Sequence, residues 1–223
     1  MRIEVSKKDL LIALKKIGWL ALSAGAKARP ILENLLLEAK KDELAITASN
    51  LSSVGNCKIC CKVIEDGKAL INAQKFMALV ETFKESININ TDEKQIELSE
   101  NKLKIFLPVA EIAQYPENML MSFEKTECKA EFVINGEKLK TGLAKIIDFK
   151  KWDSVTVLGG INFRTAENIL KLCATNDSML AFFEIEIAQK PCIDFIMPPE
   201  FATNLIKSLD GNNVKMSVFE RQI

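Results

Sequence analysis

Apolar and polar positions follow two rhythms along this chain, and the rhythms recur in the same order twice. Leu10, Leu14 and Ile17 stand at i, i+4 and i+7 with Leu11 beside them, one apolar face of a helix from about Lys7 to Ile17. Leu139, Leu143 and Ile146 repeat that spacing within a helix from about Gly136 to Ile147. Phe76, Leu79, Val80 and Phe83 form an i, i+3, i+4, i+7 set, and Ala202, Leu205, Ile206 and Leu209 match it 126 positions later. Pro198 and Pro199 open the last helix, as suits a first turn whose N–H groups have no helical acceptor. Between the helices lie segments of strand type, with period-two alternation in "LAITA" and "VKMSV". "MRIEV" precedes the first helix and "AEFVI" its counterpart. "ILENLLLEA" matches "VLGGINFRT", "LAITAS" matches "LKLCAT", and "ALIN" matches "DFIM". Strand, helix, several strands, helix, several strands therefore occurs twice. This predicts tandem α+β domains at 1–119 and 130–223, joined by a linker at 120–129. After "VKMSVFERQI" nothing matches "NKLKIFLP" or "YPEN". The second copy is thus expected to lack its last strand or strands, leaving a sheet edge unpaired.

Composition narrows the function. The chain has 223 residues, of which 48% are hydrophobic, enough for a packed core and not a disordered composition. Lys and Arg total 30 and Asp and Glu total 30, which argues against an all-basic surface but allows one basic face. Histidine is absent, so the commonest general base and metal ligand are missing and an enzyme is not expected. The six Cys come without a secretory signal, so they read as reduced thiols of a cytoplasmic protein. "NCKICCKV" holds a C-x-x-C but no second pair and no His, so neither a metal nor a cofactor is expected. Cys57 and Cys61 share one strand face and Cys60 the other. The longest weakly polar run, Ile17 to Ala26, is too short to span a bilayer. Leu158 to Gly160 lack the spacing of a phosphate loop, and Asp148, Asp153 and Glu186 form no recognisable ligand set.

With this wording and order, the two copies resemble the first two domains of the bacterial replicative sliding clamp, the DNA polymerase III beta subunit family. The resemblance spans essentially the whole chain. It rests on "MRIEVSKKDLLIALKKI", "RPILENLLLEA", "LAITASNL", "INAQKFMALVETF" and "LKIFLPVAEIAQYPEN" in the first copy. In the second it rests on "LGGINFRTAENILKLCATNDSMLA" and "MPPEFATNLIKSL". It implies clamp domains with two helices each, packed on antiparallel sheets, the helices lining a hole around double-stranded DNA. It also implies self-association into a ring and binding of DNA polymerase and clamp loader subunits through short peptides.

The resemblance carries over residue by residue. The helix faces opposite the apolar stripes hold Lys8 and Lys15, then Gln74 and Glu81, then Glu137 and Thr141, then Glu200, Asn204 and Lys207. Lys16, Lys75, Lys138 and Lys145 lie on the flanks, and Lys27 and Arg29 in the loop "SAGAKARP". The expected DNA contacts are Lys8, Lys15, Lys16, Lys27, Arg29, Lys75, Lys145 and Lys207, on a surface of mixed charge. The partner-peptide pocket corresponds to Leu158, Thr175 and Leu180, with Asp177, Ser178 and Met179 standing where the family usually has a Gly and two basic residues. The alternative places Leu158 and Leu180 in the core. The ring interface corresponds to Lys104, Ile105, Phe106 and Leu107. The family's third domain has no counterpart here. The chain is therefore expected to be a truncated clamp, or a two-domain clamp needing three copies for six domains. The alternative function is a clamp-fold interaction protein that docks on replication proteins or a full-length clamp without encircling DNA.

Overall fold

The computed structural model describes residues 1–50, 52–92, 94–116, 128–150 and 159–219. The chain divides into two compact units, Met1–Leu120 and Met121–Ile223.

In the first unit β1 (Arg2–Ser6) leads into α1 (Lys7–Leu22) and the short α2 (Ala24–Lys27). Strands β2 (Asn34–Lys40), β3 (Glu43–Asn50), β4 (Ser53–Cys60), β5 (Lys62–Glu65) and β6 (Gly67–Asn72) follow, then α3 (Ala73–Val80). The unit closes with β7 (Ser86–Thr91), β8 (Gln95–Glu100) and β9 (Leu103–Pro108). Two antiparallel sheets result, in the orders β4-β3-β2-β6 and β5-β1-β7-β8-β9. Leu10, Leu14, Phe76 and Val80 from the helices and Ile3, Ile46, Ile89, Ile96 and Leu98 from the sheets are all at 0% exposure. Burying each such side chain contributes about 1.5–3 kcal/mol. The helices start where a cap permits: Ser6 accepts from Asp9 N at 3.4 Å and Asn72 from Lys75 N at 3.1 Å.

Helix α1 continues past Ile17, where the periodic stripe suggested its end, to Leu22. Gly18 lies within this stretch, where α1 meets α3. A Cβ there would come within 2.6 Å of Met77 Sδ, so the missing side chain lets α1 and α3 approach closely. The last turn then buries Leu20 and Ala21.

The second unit has β10 (Cys128–Asn135), α4 (Gly136–Ile146), β11 (Ile161–Ala166), β12 (Ile169–Thr175), β13 (Leu180–Glu186), β14 (Asp194–Met197), α5 (Pro199–Ser208) and β15 (Asn213–Phe219). The order β13-β12-β11-β14 reproduces β4-β3-β2-β6 strand for strand. The other sheet is β10 and β15 alone, the counterparts of β1 and β7. Among the described residues nothing corresponds to β8 and β9. The core shows the difference. Val80 is fully buried, whereas Ile206, its equivalent on α5, is only partly buried, as are Phe201 and Leu205.

Candidate functional site

The solvent faces of the helices can be read unit by unit. On α1 the exposed positions are Lys8, Asp9, Ile12, Lys15 and Leu22, so Lys8 and Lys15 stand on the face opposite Leu10 and Leu14. Lys16 does not stand there. It is half-buried on the flank near Cys57, where its charge acts against the upward shift that burial gives that thiol. Trp19 is half-buried, with Nε1 donating to Lys16 O at 3.2 Å. On α3 Gln74, Lys75 and Ala78 are exposed. The loop after α1 presents Lys27 and Arg29 to solvent.

In the second unit Glu137, Lys138 and Lys145 are exposed on α4, and Glu200 and Lys207 on α5. Lys145 Nζ lies 5.4 Å from the Phe183 ring centroid, which holds its head against the flank beside β13. Asn204 turns inward to its own helix, with Nδ2 donating to Glu200 O at 2.8 Å. These faces interleave acids with lysines and form no continuous basic stripe.

The turn between β12 and β13 holds most of the expected peptide pocket. Thr175 and Leu180 sit directly opposite each other, and Thr175 Oγ1 donates to Met179 O at 2.7 Å. Asn176 organises the turn: its Oδ1 accepts from Ser178 N at 3.3 Å and Met179 N at 2.9 Å. Asp177 adopts φ 73°, the left-handed region that glycine occupies without cost and Asp tolerates better than most residues. Met179 is 51% and Leu180 66% exposed, so the core alternative fails for Leu180. Leu158 lies outside the described residues. Asn176 carried no functional reading in the sequence, although Asn followed by small polar residues is a turn signal. Phe182 was also missed. It is 67% exposed, two residues beyond Leu180 on the same face. Adjacent Phe182 and Phe183 hide which ring points outward.

Strand β9 forms one edge of the five-stranded sheet. Ile105 and Leu107 pack on the core, while Lys104 and Phe106 face solvent. Lys104 Nζ lies 2.8 Å from Glu97 Oε1.

The remaining chemistry is quiet. Burial pushes the Cys61 thiol up to about 11, and the Asp42 carboxylate and Cys60 add to the shift, so it stays protonated and unreactive at neutral pH. Among the described residues no three His, Cys, Asp or Glu side chains converge as metal ligands. Tyr115 is buried in a small satellite cluster with Ala26, Leu32, Leu36 and Leu70, and its hydroxyl has no partner among the described residues. Burial pushes that hydroxyl up to about 12. An open cavity of about 450 Å³ beside Met1, Lys68, Asp92 and Glu111 includes none of the residues expected to bind. No described helix is long and apolar enough to cross a membrane.

Residues 1–120 match the family model of the DNA polymerase III beta subunit, N-terminal domain. The chain belongs to the DNA polymerase III beta subunit family. It is 26% identical over 222 residues to the beta sliding clamp of Chlamydia pneumoniae, covering 93% of this chain and 56% of that protein. The beta sliding clamp of Haemophilus influenzae is 22% identical, over 96% of this chain and 58% of its own length. Among solved structures, the Pseudomonas aeruginosa DnaN sliding clamp bound to griselimycin superposes with a TM-score of 0.88 at 19% identity. That match covers 99% of this chain and 60% of the clamp. The Helicobacter pylori beta clamp gives 0.83 at 24% identity, over 98% of this chain and 60% of its own. The chain thus has the fold of a DNA clamp across both units and spans a little over half the length of the family members it matches.

Proposed function

We propose that the chain serves as a sliding clamp or clamp segment. It is a non-catalytic processivity factor of the cytoplasm that holds the replicative polymerase on double-stranded DNA. The observation that carries this reading is the repetition of one strand order in both units, superposing on a clamp at a TM-score of 0.88. In this reading Lys8, Lys15, Lys75 and Lys207 on the helices, with Lys27 and Arg29 in the loop, meet phosphates. Lys16 and Lys145 do so from the flanks. Contact is weak and salt-sensitive because acids interleave the lysines. A closed ring tolerates weak contact, since it cannot leave DNA sideways. The rim formed by Thr175, Asp177, Ser178, Met179 and Leu180, together with Leu158, takes peptides of polymerase and clamp loader subunits. Self-association runs through β9.

The test is retention on nicked circular duplex DNA, after loading by the cognate loader or at high protein concentration. Release on linearisation supports a topological link. Retention that linearisation does not change points to ordinary electrostatic binding. No retention at all favours the non-encircling interaction protein.

A further inference from the structure

Lys27 and Arg29 stand in a loop that has a small core of its own. The outer face of the sheet β4-β3-β2-β6 bears Leu36 on β2 and Leu70 on β6, directly opposite each other, while Leu35, Leu37, Ala69 and Ile71 turn to the main core. Ala26 and Leu32 flank the two cations in sequence and pack with that leucine pair at 0% and 1% exposure. Tyr115 joins them from the chain beyond β9, at 4% exposure. This satellite shares no side chain with the main core of the first unit. Its stability is therefore local and can be lost while the main core stays intact.

The backbone brings the pieces together from two sides. Beyond Pro108 the chain crosses to the free edge of β6, where Ala110 N donates to Leu70 O at 2.8 Å. A 3-10 turn at Ile112–Gln114 follows, and Tyr115 N donates to Ile112 O at 2.9 Å, which delivers the ring to the cluster. The loop is pinned where it leaves α1. Ser23 Oγ donates to Leu20 O at 2.7 Å and accepts from Asn50 Nδ2 at 3.1 Å. Past that pin the backbone bonds are short-range: Lys27 N to Ser23 O at 3.1 Å, Arg29 N to Ala26 O at 2.9 Å and Leu32 N to Arg29 O at 2.8 Å. A four-residue helix and a single turn do not hold themselves in water. The apolar seat under Ala26 and Leu32 must hold them, and Tyr115 is its largest side chain.

The ring supplies this support, and the hydroxyl does not. Among the described residues the Tyr115 hydroxyl has no hydrogen-bond partner, and a buried unpaired hydroxyl costs stability. The buried ring is what offsets that cost. Above the seat, Lys27 and Arg29 are exposed. A phosphate arriving there meets two cations whose backbone is already ordered, so less ordering entropy is lost on contact.

We infer that Tyr115 is a positioning residue for the DNA-contacting loop: its ring seats Ala26 and Leu32 and so holds Lys27 and Arg29 where they meet phosphates, without itself touching DNA. This rests on the reading of Lys27 and Arg29 as phosphate contacts.

The test compares Tyr115→Ala and Tyr115→Phe with wild type in the full chain. Hydrogen exchange reads the seat. In Tyr115→Ala the Arg29 and Leu32 amides are expected to lose protection by about tenfold or more, as for removal of a buried ring, while β7 and β8 exchange as in wild type. Tyr115→Phe is expected to match wild type throughout. Fluorescence anisotropy on a linear duplex across a salt series reads the positioning. Lys27→Ala with Arg29→Ala lowers the slope of log K against log salt by about 1.8, at roughly 0.9 per contact. Tyr115→Ala is expected to lower it by about half of that or more with both charges still present, and Tyr115→Phe to leave it unchanged. A merely structural role would lower the folded fraction and leave the slope alone. Leu32→Ala, on the opposite side of the same cluster, is expected to give the same two changes and serves in place of Tyr115→Ala should that variant not fold. Unchanged protection at Arg29 and Leu32, equal loss in β7 and β8, or a Tyr115→Phe variant that behaves as Tyr115→Ala each overturns the positioning role. So does a slope that Tyr115→Ala keeps and the double charge variant loses. A slope that the double charge variant itself keeps sinks the phosphate reading of this loop, on which the proposal stands, so that variant tells the two failures apart.

Discussion

Removing the two lysines on the solvent face of α1 tests the nucleic-acid face directly. The perturbation is Lys8→Ala with Lys15→Ala. Both side chains are exposed, and alanine is the best helix former, so α1 persists. If each lysine neutralises one phosphate, their loss lowers the slope of log K against log salt by about 1.8, at roughly 0.9 per contact. Over a roughly fourfold rise in salt, wild type then loses about tenfold more affinity than the variant. The assay is fluorescence anisotropy on a linear duplex across a salt series. A matched control is Lys58→Ala with Lys62→Ala. These residues pair with Glu43 at 4.0 Å and Glu4 at 3.7 Å, on the sheet faces turned away from the helices. The control removes the same charge, so equal slopes for the two double variants would refute a DNA face on α1 and reduce the effect to net charge.

Two further predictions concern the frame that holds these surfaces. Gly136→Ala in the first turn of α4 is expected to destabilise the protein by about 1–3 kcal/mol, although Ala normally helps a helix, because its Cβ would run into the carbonyl oxygen of Asn212, the acceptor of Gly136 N; a raised midpoint in urea unfolding would overturn this. Glu100 accepts from Glu85 N at 2.8 Å and Lys84 N at 3.0 Å, and these bonds hold its carboxyl below its ordinary value. Its stabilisation is therefore full above the usual carboxylate range and fades as pH falls through the lowered value. Glu100→Gln should melt lower than wild type at neutral pH and converge with it in acid, and a constant gap in the two melting temperatures from neutral to acid pH would count against the assignment.

The repeat was legible because helix phase and strand alternation are local signals. Leu10 and Leu14 mark one face of a helix, and Leu139 and Leu143 mark the same face of its counterpart. What sequence could not supply was the neighbour across space. The stripe ended at Ile17, yet α1 runs to Leu22, because its last turn buries Leu20 and Ala21 and sets Leu20 against Gly55 of β4, residues far apart in the chain. Lys16 sat on a predicted flank with a long stem that pointed either way, and in the structure it is half-buried near Cys57. Phe182 and Phe183 are chemically identical, so only the pairing of Phe182 with Cys173 and of Phe183 with Leu172 fixes which one faces solvent.

The same reasoning explains why the two units differ in how they hold their second helices. In the first, Ile96 and Leu98 of β8 close the sheet-side core, and α3 buries Phe76 and Val80 completely. In the second, β15 is terminal in a sheet that has two strands among the described residues, and Phe201, Leu205 and Ile206 keep part of their surface in water. Local unfolding is easiest where apolar burial is least and backbone hydrogen bonds meet solvent. Helix α5 and β15 are therefore the segments whose stability depends most on whatever strand lies next to β15. The first unit is thus held by its own core, while the second leaves part of its helix α5 in water.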